Sequence, residues 1–316
     1  MIYAGIDLGG TTIKAALVTE NGEILCKKSI PTGAERNNRA IIEDMAALVK
    51  ELVEEQGFTF DDVHSVGIGC PGAINPVDGI VYFSANFADF RNVAVVPIMK
   101  ELLPVPVYIE NDANVAGLGE AMFGAGEGHK NCITITIGTG LGGGIIIDGK
   151  IFSGAFFGGG EMGHQVIVAD GLQCNCGRKG CWECYSSATG MIRMGKKWAI
   201  TDPKSTLNEA EGGKLSLLNA KDIFDCANAG DEAAKNAINE YAHYMALGLG
   251  NTINVFQPEY IIIGGGPSAQ KDKLLDPIMK ELATEVYGGS TRTKVVIAKL
   301  GNDAGVIGAA MLGKIS

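Results

Sequence analysis

Apolar and polar positions alternate along the chain in a pattern that divides it into short strand-like runs and longer helical ones. Residues 2–8 form an apolar, β-rich run that stops at Gly9-Gly10-Thr11-Thr12. Residues 13–19 and 23–30 predict two further strands, joined by the hairpin signal Asn21-Gly22. Residues 39–56 place Ile41, Ile42, Met45, Leu48, Val49 and Leu52 on one face of a helix. A strand over 64–70 closes at Pro71-Gly72, and a short helix ends at 100–103. The run 106–109 is the next strand. It leads through Glu110-Asn111-Asp112-Ala113-Asn114 into a small-residue helix over 115–122.

The same order then returns. Residues 132–137 predict a strand ending in Gly138-Thr139-Gly140-Leu141-Gly142-Gly143-Gly144, followed by strands at 145–147 and 150–152 around Asp148-Gly149. Strand, Gly/Thr turn, strand, Asx-Gly turn, strand thus occurs twice, which reads as an internal duplication with two halves facing each other. Residues 158–184 are irregular and 201–219 polar and loop-like, while 220–250 is helical. A buried strand at 260–263 ends in Gly264-Gly265-Gly266-Pro267-Ser268. A helix at 274–286 and a strand at 294–300 precede Asp303, which is placed to N-cap a last helix over 304–312.

Composition narrows the class. The 316 residues suffice for two domains, and 46% hydrophobic content supports a large core. No apolar run reaches the length of a membrane span, and the chain enters strand pattern at once, so no signal peptide and a cytoplasmic location are expected. A net charge of −10 argues against nucleic-acid binding. Eight cysteines in a leaderless chain point to metal before disulfides.

Asp112 stands where a strand ends and a helix begins, the place where ligands gather in α/β sheets. The helix dipole favours an ionised carboxylate there, although a plain N-cap would look the same. The segment Asp7-Leu8-Gly9-Gly10-Thr11-Thr12-Ile13-Lys14 lets backbone N–H groups, hydroxyls and an ammonium approach an anion. It is not a P-loop, because no helix follows. The second Gly/Thr turn makes a pair that can hold a polyphosphate, with Asp7 placed for Mg²⁺. Cys174-Asn175-Cys176-Gly177-Arg178-Lys179-Gly180-Cys181-Trp182-Glu183 packs three thiols into eight residues, as a tetrahedral Zn²⁺ site requires. Spacing alone leaves His164 or Cys184 as the fourth ligand. His64, His129 and His243 stand isolated, and Cys26, Cys70, Cys132 and Cys226 read as small core residues.

These motifs, with Glu161-Met162-Gly163-His164 and residues 303–310, resemble in order and content those of the ROK proteins. That is a branch of the sugar kinase, actin and heat-shock chaperone superfamily. The resemblance implies an α/β protein with two domains of the actin-like ATPase (ribonuclease-H-like) fold and an active site in the cleft between them. The domains would be 1–110, with the helix 303–316 packing back on it, and 111–302, carrying the zinc loop. It implies ATP-dependent phosphorylation of glucose at the 6-hydroxyl, with Asp112 as general base. Asn86, Asn111, Asp112, Glu161, His164 and Glu183 would bind the sugar. Asp7, Gly9, Gly10, Thr11, Thr12 and Lys14 would meet the nucleotide on one side, and Gly138, Thr139, Gly140, Gly265 and Gly266 on the other. His164, Cys174, Cys176 and Cys181 would hold a structural Zn²⁺, leaving Cys184 spare. The phosphate turns, distant in sequence, should survive loss of that metal. The partners implied are a hexose and MgATP, with a homodimer or homotetramer and neither nucleic acid nor membrane. Phe90 and Ala94 stand where the family usually has Trp and Pro, which bears on fine sugar preference. A kinase for N-acetylglucosamine, N-acetylmannosamine or fructose would carry the same motifs. A sugar-responsive repressor would need a helix-turn-helix domain before the first strand.

Overall fold

The computed structural model describes residues 1–289 and 291–316. Its strands are β1 (Ile2–Leu8), β2 (Thr12–Thr19), β3 (Ile24–Pro31), β4 (Val63–Cys70), β5 (Ala73–Asn75), β6 (Ile80–Phe83), β7 (Arg91–Val93), β8 (Val107–Asn111), β9 (Cys132–Ile137), β10 (Leu141–Ile147), β11 (Lys150–Ile151), β12 (Tyr260–Gly265) and β13 (Lys294–Ile297). Its helices are α1 (Asn38–Glu55), α2 (Val95–Leu102), α3 (Asp112–Phe123), α4 (Trp182–Ser186), α5 (Ala188–Thr201), a kinked turn α6 (Ala210–Gly213), α7 (Ala220–Asn228), α8 (Glu232–Phe256), α9 (Asp272–Glu285), α10 (Ala304–Ala310) and α11 (Leu312–Ile315). Among the described residues, no helix is long and apolar enough to cross a membrane.

Two sheets repeat one plan. The first runs β3-β2-β1-β4-β8 and the second β11-β10-β9-β12-β13. In the first, a three-strand antiparallel meander is extended by parallel strands. In the second, β10 and β11 pair antiparallel, and β12 and β13 parallel. The duplication expected from the turn order is therefore a repeat of sheet topology. A small sheet, β5-β6-β7, has no clear alternation in its three- and four-residue strands and was not foreseen.

The chain forms two compact units, 1–134 with 144–160 and 299–316, and 135–143 with 161–298. The first runs past the expected boundary at 110 because α3 packs on α10. A Cβ at Gly308 would lie 1.7 Å from the Val115 carbonyl oxygen, so only glycine allows this approach. The apolar face of α1, with Ile41, Ile42, Met45, Leu48, Val49 and Leu52, lies in the core of this unit.

Other expectations need correction. Asp303 does not cap α10 with its side chain; its carboxylate pairs with Lys27 at 2.8 Å. The helical stretch 220–250 is broken at Ala229-Gly230-Asp231, because Asn219 and Asp231 each cap a separate helix. Leu141 to Gly144, read as turn, already belongs to β10. Cys26 and Cys226 are only half-buried, unlike Cys70 and Cys132.

Candidate functional site

In the first unit the parallel strands bring their carboxyl ends into line. Asp7 pairs with Gly69, Gly69 with Glu110, and Cys70 with Asn111. The β1–β2 turn is tied by a Gly9 N–H bond to the Thr12 carbonyl (3.0 Å). Buried Thr32 braces it, giving its hydroxyl to the Gly9 carbonyl (2.6 Å) and its N–H to the Thr11 carbonyl (2.9 Å). Lys14 Nζ lies 3.4 Å from Asp7 Oδ2 and donates to the Asn302 carbonyl at 3.0 Å. A Cβ at Gly305, in the first turn of α10, would meet the Asp7 carboxylate at 3.3 Å, so this carboxylate sits at a helix start. Neither Thr32 nor Asn302 was foreseen; the signal available was only their place beside the Pro31 and Gly301 breaks.

Asp112 is the first residue of α3, but the cap is Asn111. Asn111 Oδ1 accepts from the N–H of Ala113 (2.9 Å) and Asn114 (3.3 Å), and its Nδ2 donates to the Gly72 carbonyl (3.2 Å). Asp112 Oδ1 also accepts from Ala113 N–H, at 2.9 Å. The capping duty thus falls mainly on Asn111, and a capping need does not by itself account for Asp112. Asn86 is exposed, with its amide nitrogen 3.4 Å from where a Gly10 Cβ would stand. Phe90 is 1% exposed and stacks on Phe87 at 4.5 Å, so its ring is core and offers no face to a ligand.

In the second unit four donors converge. The ligand atoms of His164, Cys174, Cys176 and Cys181 all lie within 4.8 Å of one another. His164 Nδ1 is 3.7 Å from Cys174 Sγ, and the sulfurs of Cys176 and Cys181 are 3.6 Å apart. Zinc bonds of about 2.0–2.3 Å in a tetrahedron put neighbouring donors roughly 3.3–3.8 Å apart, so this set fits that ion. Burial and the neighbouring thiols push Cys181 up to about 12, while the Arg178 N–H draws Cys176 down. Thiols this close cannot all ionise without a cation among them. Cys184 lies outside the set, 3.7 Å from the Gln173 carbonyl, with its thiol pushed up to about 11 by burial.

The loop is fixed to its surroundings by Trp182, fully buried on α8 with its indole N–H on the Tyr244 carbonyl (3.0 Å). That anchors Glu183, whose Oε2 accepts from Leu141 N–H at 2.9 Å. Ala188 N–H and the Thr189 hydroxyl hold the carbonyls of Gly138 (3.0 Å) and Thr139 (2.9 Å). The loop that carries the four donors and the second Gly/Thr turn, far apart in sequence, are therefore tied together by hydrogen bonds. Gly265, at φ +91°, lies against β9, where a Cβ would stand 2.1 Å from the Ile137 carbonyl oxygen. Gly265 and Gly266 are exposed beside the same turn, with backbone open to a ligand. Glu161 is exposed, one turn before His164.

Two sheets of one plan, each with a Gly/Thr turn at a strand end, define the actin-like ATPase fold in its sugar-kinase form. The ROK family profile matches residues 3–315, and the chain belongs to that family. A glucokinase from Halalkalibacterium halodurans is 38% identical, over 99% of this chain and 94% of its own. Another from Streptomyces coelicolor is also 38% identical, over 98% and 96%. The crystal structure of a ROK family glucokinase from Streptomyces griseus, in complex with glucose and AMPPNP, superposes with a TM-score of 0.82. It is 36% identical and covers 100% of both chains.

Proposed function

We propose that this chain is an ATP-dependent glucokinase, transferring the γ-phosphoryl group of ATP to the 6-hydroxyl of glucose. The observation that carries the reading is the line of strand ends bearing Asp7 and Asp112, beside a Gly/Thr turn with Lys14. Full-length likeness to glucokinases supports the choice of glucose.

Asp112 accepts the proton of the 6-hydroxyl as that oxygen bonds to the γ-phosphorus and the bond to the ADP oxygen breaks. Phosphoryl transfer is catalysed mainly by positioning and charge stabilisation, so an ordinary carboxylate is an adequate base. Asn86 and Asn111 orient the sugar together with Glu161, His164 and the Glu183 oxygen not held by Leu141. Gly9, Gly10, Thr11, Thr12 and Lys14 offer donors to the phosphates, as do Gly138, Thr139 and Gly140, and Gly265 and Gly266 let backbone approach the adenosine. Asp7 is the carboxylate suited to hold Mg²⁺, which when bound offsets phosphate charge. His164, Cys174, Cys176 and Cys181 suit a structural Zn²⁺, which when bound fixes the His164 ring. With Nδ1 as the metal ligand, the His164 proton sits on Nε2 and serves as a donor to a sugar hydroxyl. The family likeness supports a homodimer or homotetramer. Phosphorus NMR of a reaction with glucose and ATP tests the chemistry: glucose 6-phosphate and ADP must accumulate in equal amounts. ADP without a sugar phosphate, or phosphate on another oxygen, overturns the reading.

A further inference from the structure

The motif Glu110 to Asn114 has two outer members to which the reaction assigns nothing. Both are buried: Glu110 is 6% exposed and Asn114 4%. One oxygen, Glu110 Oε1, accepts from the Asn111 backbone N–H at 2.7 Å and from Asn114 Nδ2 at 3.1 Å. These partners lie on either side of Asp112, one at the end of β8 and one in the first turn of α3. We propose that Glu110 is a positioning residue for the base. Its carboxylate clamps strand end to helix start and so fixes the direction in which Asp112 leaves the turn. The proposal rests on the reading of Asp112 as the base.

A merely structural explanation is weak. Helix initiation is already served by Asn111, which takes the N–H groups of Ala113 and Asn114. A neutral acceptor such as Gln would take the same two N–H bonds without the penalty of burying a carboxylate. What Glu110 adds is a second set of bonds at right positions to hold Asn111 and Asn114 to each other. Near-attack geometry is sensitive to displacements of about 1 Å, so such a brace acts on rate. Glu110 also lines a cavity of about 260 Å³, with Tyr108, Lys150, Ile151, Leu312 and Ile315. A small carboxylate added to the solvent can therefore reach the place that a truncated Glu110 vacates.

The test compares wild type with Glu110→Ala, Glu110→Gln and Asn114→Ala. In Glu110→Ala, kcat should fall about 10–100-fold while the KM for ATP stays within about twofold. Asn114→Ala should lose roughly 3–10-fold, and the double variant should be no worse than Glu110→Ala, because both delete one shared interaction. Glu110→Gln keeps an acceptor oxygen in place and should recover to within about fivefold of wild type. Formate should restore part of the kcat of Glu110→Ala and leave Asn114→Ala unchanged. Deuterium exchange of the backbone amides at 111–116 should quicken in Glu110→Ala but not in Glu110→Gln. Full kcat or unchanged exchange in Glu110→Ala overturns the proposal. If that variant does not fold, full kcat with unchanged exchange in Asn114→Ala overturns it. A wild type that phosphorylates no hexose would defeat the functional reading instead, and the exchange measurement would still decide whether the clamp holds the turn.

Discussion

In the proposed reaction Asp112 is the base, and its neighbours constrain it. Asn111 relieves it of capping, and Glu110 braces the turn from both sides. Asp112→Asn keeps size and much of the hydrogen bonding but removes the base. Its kcat should fall by roughly 10²–10⁴, with glucose binding retained. A kcat within a few-fold of wild type would end the assigned role. Glu110 itself gives a prediction about pH. Burial raises its carboxyl above the ordinary 4.5, and the bonds from Asn111 and Asn114 pull it back only in part. A carboxyl with a higher pKa in the folded than in the unfolded chain binds its proton more tightly when folded. Its contribution is then fully present below the unfolded value and is lost as pH rises through the folded one. Urea unfolding of wild type and Glu110→Gln, from about pH 4 to about pH 8, should show wild type losing stability relative to the variant as pH rises. A difference that is level, or moves the other way, contradicts this.

At the scale of elements, the loop proposed to hold zinc is hydrogen-bonded to the second Gly/Thr turn. Glu183 stands two residues after Cys181 and bonds Leu141, and Trp182 between them is locked on α8. Cys176→Ser should therefore raise the KM for glucose and also weaken nucleotide binding. Metal analysis should find one zinc per wild-type chain, and titrations with glucose and an ATP analogue should both shift in the mutant. A zinc-free wild type with full activity would refute the metal's role. Unchanged nucleotide binding in the mutant would uncouple the loop from the turn. The four-donor cluster was legible because cysteines at spacings of two and five have few structural uses, though spacing could not choose His164 over Cys184. The tie from Glu183 to Leu141 was not legible, since it spans 42 positions and depends on where Trp182 packs. Asp303 misled for a related reason: it has the sequence position of a cap, but Lys27 competes for its carboxylate.

At the scale of the whole molecule, the duplicated order of turns and strands was enough to foresee two sheets of one plan, because hairpin and Gly/Thr signals are local. The extent of the first unit past residue 110 was hidden, since it depends on how closely α3 approaches α10 through contacts such as Gly308 on Val115. Sugar preference belongs to this scale too. With Phe90 in the core, the proposed function leaves discrimination to the polar side chains proposed to bind the sugar. The most direct test is ADP release by the purified protein across glucose, mannose, fructose, N-acetylglucosamine and N-acetylmannosamine. The account predicts ADP formation that depends on the hexose, with kcat/KM highest for glucose. A higher value for N-acetylmannosamine or fructose would contradict it.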